Sequence, residues 1–399
     1  MLAMWSTHRL GNVRAAFTVM APTLAATCFY SRGSSPAEAE SSHEAKPCIA
    51  VVATGNSAAF DRMPAPLRAR AELIRVDCSS PEVIAAQAPL LAKATGLLYI
   101  PTTGNPSGGT PSTTLAQVWT HLPNVAWVHT FSAGVETVMP FARDHLAAGP
   151  TNSRGDCCLP VPLTNGRGAF SSSLAEHALA GMLHFNKQLP RCTANRTAKA
   201  WDPFVMDTMA GKTVGLVGYG SIGQSCGRAA KGAFGCRVIA LRSSPCGGGG
   251  GSITGPADEV FSSCDAAAKR AFFEACDFVV CSLPLTEATR GIVGKAELAA
   301  MKPSAVLVSL GRGATLDEDA LADALAAKRI RGAVLDVFTV EPLPASSRLW
   351  GLDNVLLTAH NADLTEDYFE LGWAVWGENL DRFVKGQPLA TPVDLAKGY

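Results

Sequence analysis

Short apolar runs recur along the chain from about residue 48, and the segments between them carry apolar residues at helical spacing. Residues 48–53, Cys-Ile-Ala-Val-Val-Ala, are bounded by Pro47 and Gly55 and read as a buried strand. Residues 96–100 and 125–129 repeat the pattern with Ala/Leu-rich stretches between, which predicts a parallel α/β unit. From Lys212 the alternation sharpens. Runs at 214–217, 237–241, 278–283, 305–309, 332–337 and 355–358 predict six parallel strands in a doubly wound sheet. Ser173 and Glu176 have capping-box spacing and predict the start of a helix running towards Gln188. Its buried face would be formed by the apolar residues at 174, 175, 178, 179, 182, 183 and 185.

A chain of 399 residues suffices for two domains, each with its own core. Its net charge of zero provides no global field for nucleic acid or an anionic membrane, so the expected partner is a small molecule. No stretch after the N-terminal region is long and apolar enough to span a bilayer. The twelve cysteines show neither C-x-x-C pairs nor Cys/His runs at metal-ligand spacing. They read as reduced thiols and no metal is expected, while the adjacent Cys157 and Cys158 leave a redox role open. Before Glu38 there is no acid, and Arg9, Arg14 and Arg32 punctuate an Ala/Ser/Thr-rich segment. This predicts a targeting peptide, with mitochondrial import first and a cytoplasmic protein with a disordered tail as the alternative. The five glycines at 247–251 read as a surface insertion.

Gly218-Tyr219-Gly220-Ser221-Ile222-Gly223 directly follows a predicted strand and precedes a helix-compatible stretch. In that context, and not alone, G-x-G-x-x-G predicts a dinucleotide cradle in which backbone amides at a helix start face the pyrophosphate. The second strand ends in Leu241-Arg242-Ser243-Ser244, where a carboxylate would be needed to bind the ribose hydroxyls of NAD. Arg242 and Ser243 can instead pair with a 2′-phosphate, so NADP(H) is favoured and NAD(H) remains possible. Arg312, Glu341 and His360 each lie at or just beyond a predicted strand end, the side of an open α/β sheet that binds ligands. Taken singly, each also has an ordinary structural reading.

As a set these segments resemble the D-isomer-specific 2-hydroxyacid dehydrogenase family. The likeness runs from about Cys48 to the C-terminus and is carried, in order, by Ser132-Ala133-Gly134-Val135-Glu136, the helix start at Ser173, Leu283-Pro284-Leu285-Thr286-Glu287-Ala288-Thr289, the Gly311-Arg312-Gly313 loop and residues 336–344. The resemblance implies two Rossmann-like doubly wound α/β domains, the first a discontinuous, flavodoxin-like substrate domain. The implied divisions are a leader at 1–46, the substrate domain at 47–200 and 359–399, and the NAD(P)-binding domain at 201–358. It also implies that Arg312 binds a small 2-oxo acid, that His360 exchanges the proton, and that Glu341 orients His360. Leu283, Pro284, Thr289 and Asp336 would contact the cofactor, with Asp336 at the nicotinamide carboxamide. Thr103, Gly104, Ser132, Ala133 and Gly134 would hold the substrate carboxylate through backbone amides, although an ordinary polar turn is the other reading of each. Residues 165–201 resemble the family's domain-crossing helix and dimer arm, which implies a homodimer.

The implied activity is reduction of glyoxylate or hydroxypyruvate to the D-2-hydroxy acid. A larger 2-oxo acid, or a dinucleotide-sensing corepressor that keeps the triad, are the alternatives. Three departures from the family pattern bear on substrate choice: Ala359 before the histidine, Ser309 ahead of the arginine loop, and the stretch 361–368 after the histidine, which is unlike the small Gly/Ser/Ala run of many members.

Overall fold

The computed structural model describes residues 46–53, 58–101, 110–149, 160–243 and 255–399. The expected leader up to residue 45, the substrate candidates Thr103 and Gly104, the Cys157-Cys158 pair, Ser244 and the glycine run lie outside the described residues.

Two parallel sheets are built in succession. The first contains β1 (Cys48–Ala53), β2 (Glu72–Arg75), β3 (Gly96–Ile100), β4 (Trp127–Thr130) and β5 (Leu163–Asn165), in the order β2-β1-β3-β4-β5. Every residue of β1 and β3 is buried, as expected for central strands covered on both faces. The edge strand β2, Glu-Leu-Ile-Arg, is mostly open to solvent, which is why its apolar signal is too short to stand out in the sequence.

The second sheet contains β6 (Thr213–Val217), β7 (Arg237–Arg242), β8 (Glu259–Ser262), β9 (Phe278–Cys281), β10 (Val306–Ser309), β11 (Gly332–Leu335) and β12 (Val355–Leu357), in the order β12-β11-β10-β9-β6-β7-β8. It therefore has seven strands, one more than expected. The addition, β8, is a partly exposed edge strand with only two apolar residues, too few for its periodicity to register. The strand order reverses direction between β6 and β9, and a crevice at their carboxyl ends follows from that topology.

Between the sheets runs α1 (Ser171–Asn186). Leu174, Ala175, Ala178 and Met182 pack it into the core formed by Val214, Leu216, Val306 and Val334 of the second sheet. The expected capping box is not formed. The helix begins three residues earlier than that box requires, at Ser171, with Phe170 at the cap position and no side-chain cap. Ser173 therefore lies inside the first turn, where its hydroxyl donates back to the Phe170 carbonyl at 3.0 Å.

After β12 the chain returns to the first sheet as α2 (Tyr368–Val384). Trp373 and Trp376 are fully buried in one cluster with Ile49, Val51, Leu98 and Trp127, and the Trp373 indole donates to the Ala59 carbonyl at 2.9 Å. Further on, the Thr391 hydroxyl donates to the Asn165 carbonyl at 2.7 Å. The layer around the first sheet is thus made from both ends of the described chain, which is the discontinuity expected of the fold. Among the described residues, no helix is long and apolar enough to cross a membrane, and no cluster of His, Cys, Asp or Glu could hold a metal ion.

Candidate active site

At the end of β6 the chain turns through Gly218 and Gly220 into the helix Ser221–Phe234. Gly223 packs so closely on the Gly218 carbonyl that a Cβ could not be accommodated, and this closeness draws the helix start over the strand end. Gly220 occupies the cap position without a side-chain cap, and open space surrounds the place of its missing Cβ. The first-turn amides of Ser221, Ile222 and Gly223 are therefore left to an anion, and the residues present fit a dinucleotide pyrophosphate.

Other predicted cofactor residues have local tasks. The Tyr219 hydroxyl accepts from the Ala257 amide at 2.8 Å, Ile222 packs partly into the core, and the Thr289 hydroxyl donates to the Pro284 carbonyl at 2.7 Å. That last bond fixes the loop after Leu283. Arg242 closes β7 and is exposed, and its guanidinium has no partner among the described residues. Ser243 beside it is also exposed, with its carbonyl facing the Cys264 thiol.

Arg312 follows β10 directly. Its flanking glycines permit two close backbone approaches, Gly311 to Leu283 and Gly313 to Phe338, so the loop is wedged between the strand ends on either side. Glu341 is held by the Phe338 amide, which donates to Oε1 at 2.9 Å, and its Oε2 lies 2.7 Å from His360 Nδ1. The geometry leaves Nε2 of His360 directed elsewhere. Both side chains are partly open, at 43% and 33%.

His360 owes its place to Asp336. This carboxylate is 1% exposed, and it accepts from the Thr358 hydroxyl at 2.6 Å and from the amides of Asn361 and Ala362 at 3.1 and 3.3 Å. The Asp336 carbonyl accepts from the His360 amide at 2.8 Å. These bonds fold residues 358–362 tightly enough to hold His360 at φ 50°, a region non-glycine residues seldom adopt and one common at functional sites. The Asp336 carboxylate, expected to contact the cofactor, also anchors the histidine turn.

Two acidic neighbours of the site were not singled out in the sequence. Glu136, in the loop after β4, pairs with Arg312 through Nε at 3.1 Å and Nη2 at 3.3 Å, while Nη1 donates to the Gly311 carbonyl at 2.8 Å. The guanidinium also lies against Gly134, in the space a side chain there would occupy. Ser132 donates to the Gly134 carbonyl at 2.8 Å, and Asn165 to that of Ala133 at 2.6 Å, so the predicted 132–134 turn is built and reaches Arg312 from the other sheet. The second residue, Asp363, is mostly buried close to the catalytic candidates. Burial raises its pKa above 3.8; His360 and Arg312 pull it back down, and Asp336 adds to the rise. Only its place in the unusual stretch after His360 could have marked it.

A family model described as D-isomer specific 2-hydroxyacid dehydrogenase, NAD binding domain, matches residues 179–362. Glyoxylate/hydroxypyruvate reductase B of Pectobacterium carotovorum subsp. carotovorum is 32% identical over 288 residues, 70% of this chain and 79% of that one. This chain belongs to the D-isomer-specific 2-hydroxyacid dehydrogenase family. An uncharacterized protein of Corynebacterium melassecola is 38% identical to the dehydrogenase over 241 residues, 59% of this chain and 75% of that one. Among solved structures, an NADPH-dependent glyoxylate/hydroxypyruvate reductase of Sinorhizobium meliloti, in complex with NADP and sulfate, superimposes with a TM-score of 0.67 at 26% identity, covering 89% of this chain and all of that one. The dehydrogenase is accordingly an NAD(P)-binding oxidoreductase of the two-domain Rossmann-like type, acting between 2-oxo and 2-hydroxy acids.

Proposed function

We propose that this dehydrogenase is an NADP(H)-preferring reductase that converts glyoxylate or hydroxypyruvate to the D-2-hydroxy acid. The observation that carries the reading is the His360–Glu341 pair at 2.7 Å, set beside Arg312 where the sheet's strands end. Glu341 accepts a hydrogen bond from Nδ1–H, which leaves Nε2 of His360 as the atom that gives a proton to the substrate oxygen in reduction and removes it in oxidation. Arg312 binds the carboxylate and polarises the carbonyl, and the amides of the 132–134 turn complete the hold. The Gly218–Gly223 cradle would hold the pyrophosphate of a reduced nicotinamide dinucleotide, which would supply the hydride. The similar reductases of Pectobacterium carotovorum and Sinorhizobium meliloti, named for glyoxylate and hydroxypyruvate, support this choice of substrate.

The NADP(H) preference rests on Arg242, a strand-end guanidinium without a partner among the described residues and with no acid beside it in the sequence. Replacing it with Asp (Arg242→Asp) should lower the ratio of kcat/KM for NADPH over NADH by on the order of 10²-fold, since a cation for the 2′-phosphate becomes a repelling carboxylate. The ratio would be measured at saturating 2-oxo acid. An unchanged ratio would remove Arg242 from cofactor selection.

A homodimer is part of the same reading. The helix Leu189–Ala198 and the segment after it leave Trp201 96% and Val205 88% exposed, apolar side chains without cover from the described residues.

A further inference from the structure

We propose that Glu136 and Asp363 make the site selective for monoanionic 2-oxo acids, so that a substrate with a second carboxylate is rejected by charge and not by size. The inference rests on the reading of Arg312 and His360 as the substrate-binding pair.

The guanidinium is the cation available to the substrate, and it is already partly neutralised. Of its five N–H groups, three are engaged: Nε and one on Nη2 with Glu136, and one on Nη1 with the Gly311 carbonyl. Two remain, one on each terminal nitrogen, enough for the single carboxylate and carbonyl of a 2-oxo acid. A second substrate carboxylate needs another cation, and the described segments that follow the strands beside Arg312 and His360 provide none. Residues 131–138, which follow β4, contain no Lys or Arg, and neither do 282–289, 336–347 or 358–367. Arg167, after β5, turns its guanidinium to the Pro392 carbonyl at 3.3 Å.

The fixed charges therefore run the other way. Glu136, Glu341, Asp336 and Asp363 outnumber Arg312 and His360 even when the imidazole is protonated. Asp336 and Glu341 are committed by their hydrogen bonds to the histidine and its turn. Asp363 has no hydrogen-bonded or ion-paired cation of its own among the described residues, and it acts electrostatically on the same pair that would hold substrate. Repulsion between a substrate group and a partly buried carboxylate several ångströms away is screened far less than in water. Such a clash is a means of specificity that costs the preferred monoanion comparatively little.

The test compares two substrates of equal size. With the full-length enzyme and NADPH, kcat/KM is measured for oxaloacetate and for its neutral side-chain amide, with hydroxypyruvate as reference. The wild type should favour the amide over the diacid by at least about tenfold, and Asp363→Asn should shrink that preference several-fold through the KM of oxaloacetate. Glu136→Gln should move the ratio in the same direction. NADPH affinity and the thermal midpoint, read on each variant, show that it is folded, and Asp363→Ser gives a second neutral replacement. Equal use of amide and diacid by the wild type, or an unchanged ratio in folded variants of both positions, would overturn charge selection while leaving the reductase intact. Absence of NADPH oxidation with any 2-oxo acid, hydroxypyruvate included, would instead remove the underlying reading and this inference with it.

Discussion

Replacing His360 with Ala should lower turnover of the 2-oxo acid by about 10²- to 10⁴-fold while leaving NADPH binding unchanged. The imidazole is held by Glu341 on one nitrogen and by a main-chain bond to Asp336 at its own amide, an arrangement that fixes the direction of the other nitrogen. Among the described residues, no other histidine shares that hold. His129 is fully buried in the first sheet, with its pKa pushed down to about 3 by burial, and His177 lies on α1 near the Thr358 hydroxyl. The loss should appear mainly in kcat, because Arg312 and the 132–134 turn still bind the carboxylate. Fluorescence titration with NADPH separates this outcome from general damage, since the cradle at residues 218–223 is built by a different strand and helix. Turnover equal to wild type would exclude His360 from the reaction.

The second large effect concerns assembly. The wild type should sediment at twice the 41.6 kDa of its chain, and the double replacement Trp201→Glu, Val205→Glu should yield monomers. The arm is shaped before any partner arrives: Arg191 pairs with Asp202 at 2.7 Å and stacks over Phe204 at 4.2 Å, and Gln188 donates to the Val205 carbonyl at 2.8 Å. A preformed segment with a bare tryptophan loses little freedom on docking, and tryptophan is the side chain most often found at the energetic centre of an interface. Two carboxylates buried there without partners would cost more than the contact contributes. A wild type that sediments as one chain would contradict the dimer; a variant that stays dimeric would place the contact elsewhere.

The central strands were legible because they are buried on both faces. Such strands appear as continuous apolar runs, as in residues 48–53 and 278–281, and the fully buried pattern of β1 and β9 has the same cause. The edge strands β2 and β8 escaped because solvent takes one side of them and leaves too few apolar residues to show a period. The capping box at Ser173 failed for a related reason. A Ser-x-x-Glu spacing is also satisfied one turn inside a helix, and in the run Ser171-Ser172-Ser173 the sequence does not mark which serine comes first.

The site was legible where a motif depends on backbone geometry. Gly311 and Gly313 allow contacts that side chains would block, and Gly223 does the same beneath the cradle, so the residues that need those glycines, Arg312 and the helix amides, could be found from them. Glu136 depends instead on the contact between residues carried by the two sheets. Glu136 is 176 positions from Arg312 along the chain, a separation at which no spacing rule operates. Asp336 was found by resemblance, but its bonds to the 358–362 turn become apparent only when β11 and β12 lie side by side.

The most direct test of the account is the loss of reduced-nicotinamide absorbance when purified protein is mixed with NADPH or NADH and, in parallel, glyoxylate, hydroxypyruvate, pyruvate and a branched 2-oxo acid. The account predicts faster oxidation of NADPH than of NADH, with glyoxylate or hydroxypyruvate the better substrate. Tight NADPH binding without turnover of any of the four acids would contradict it.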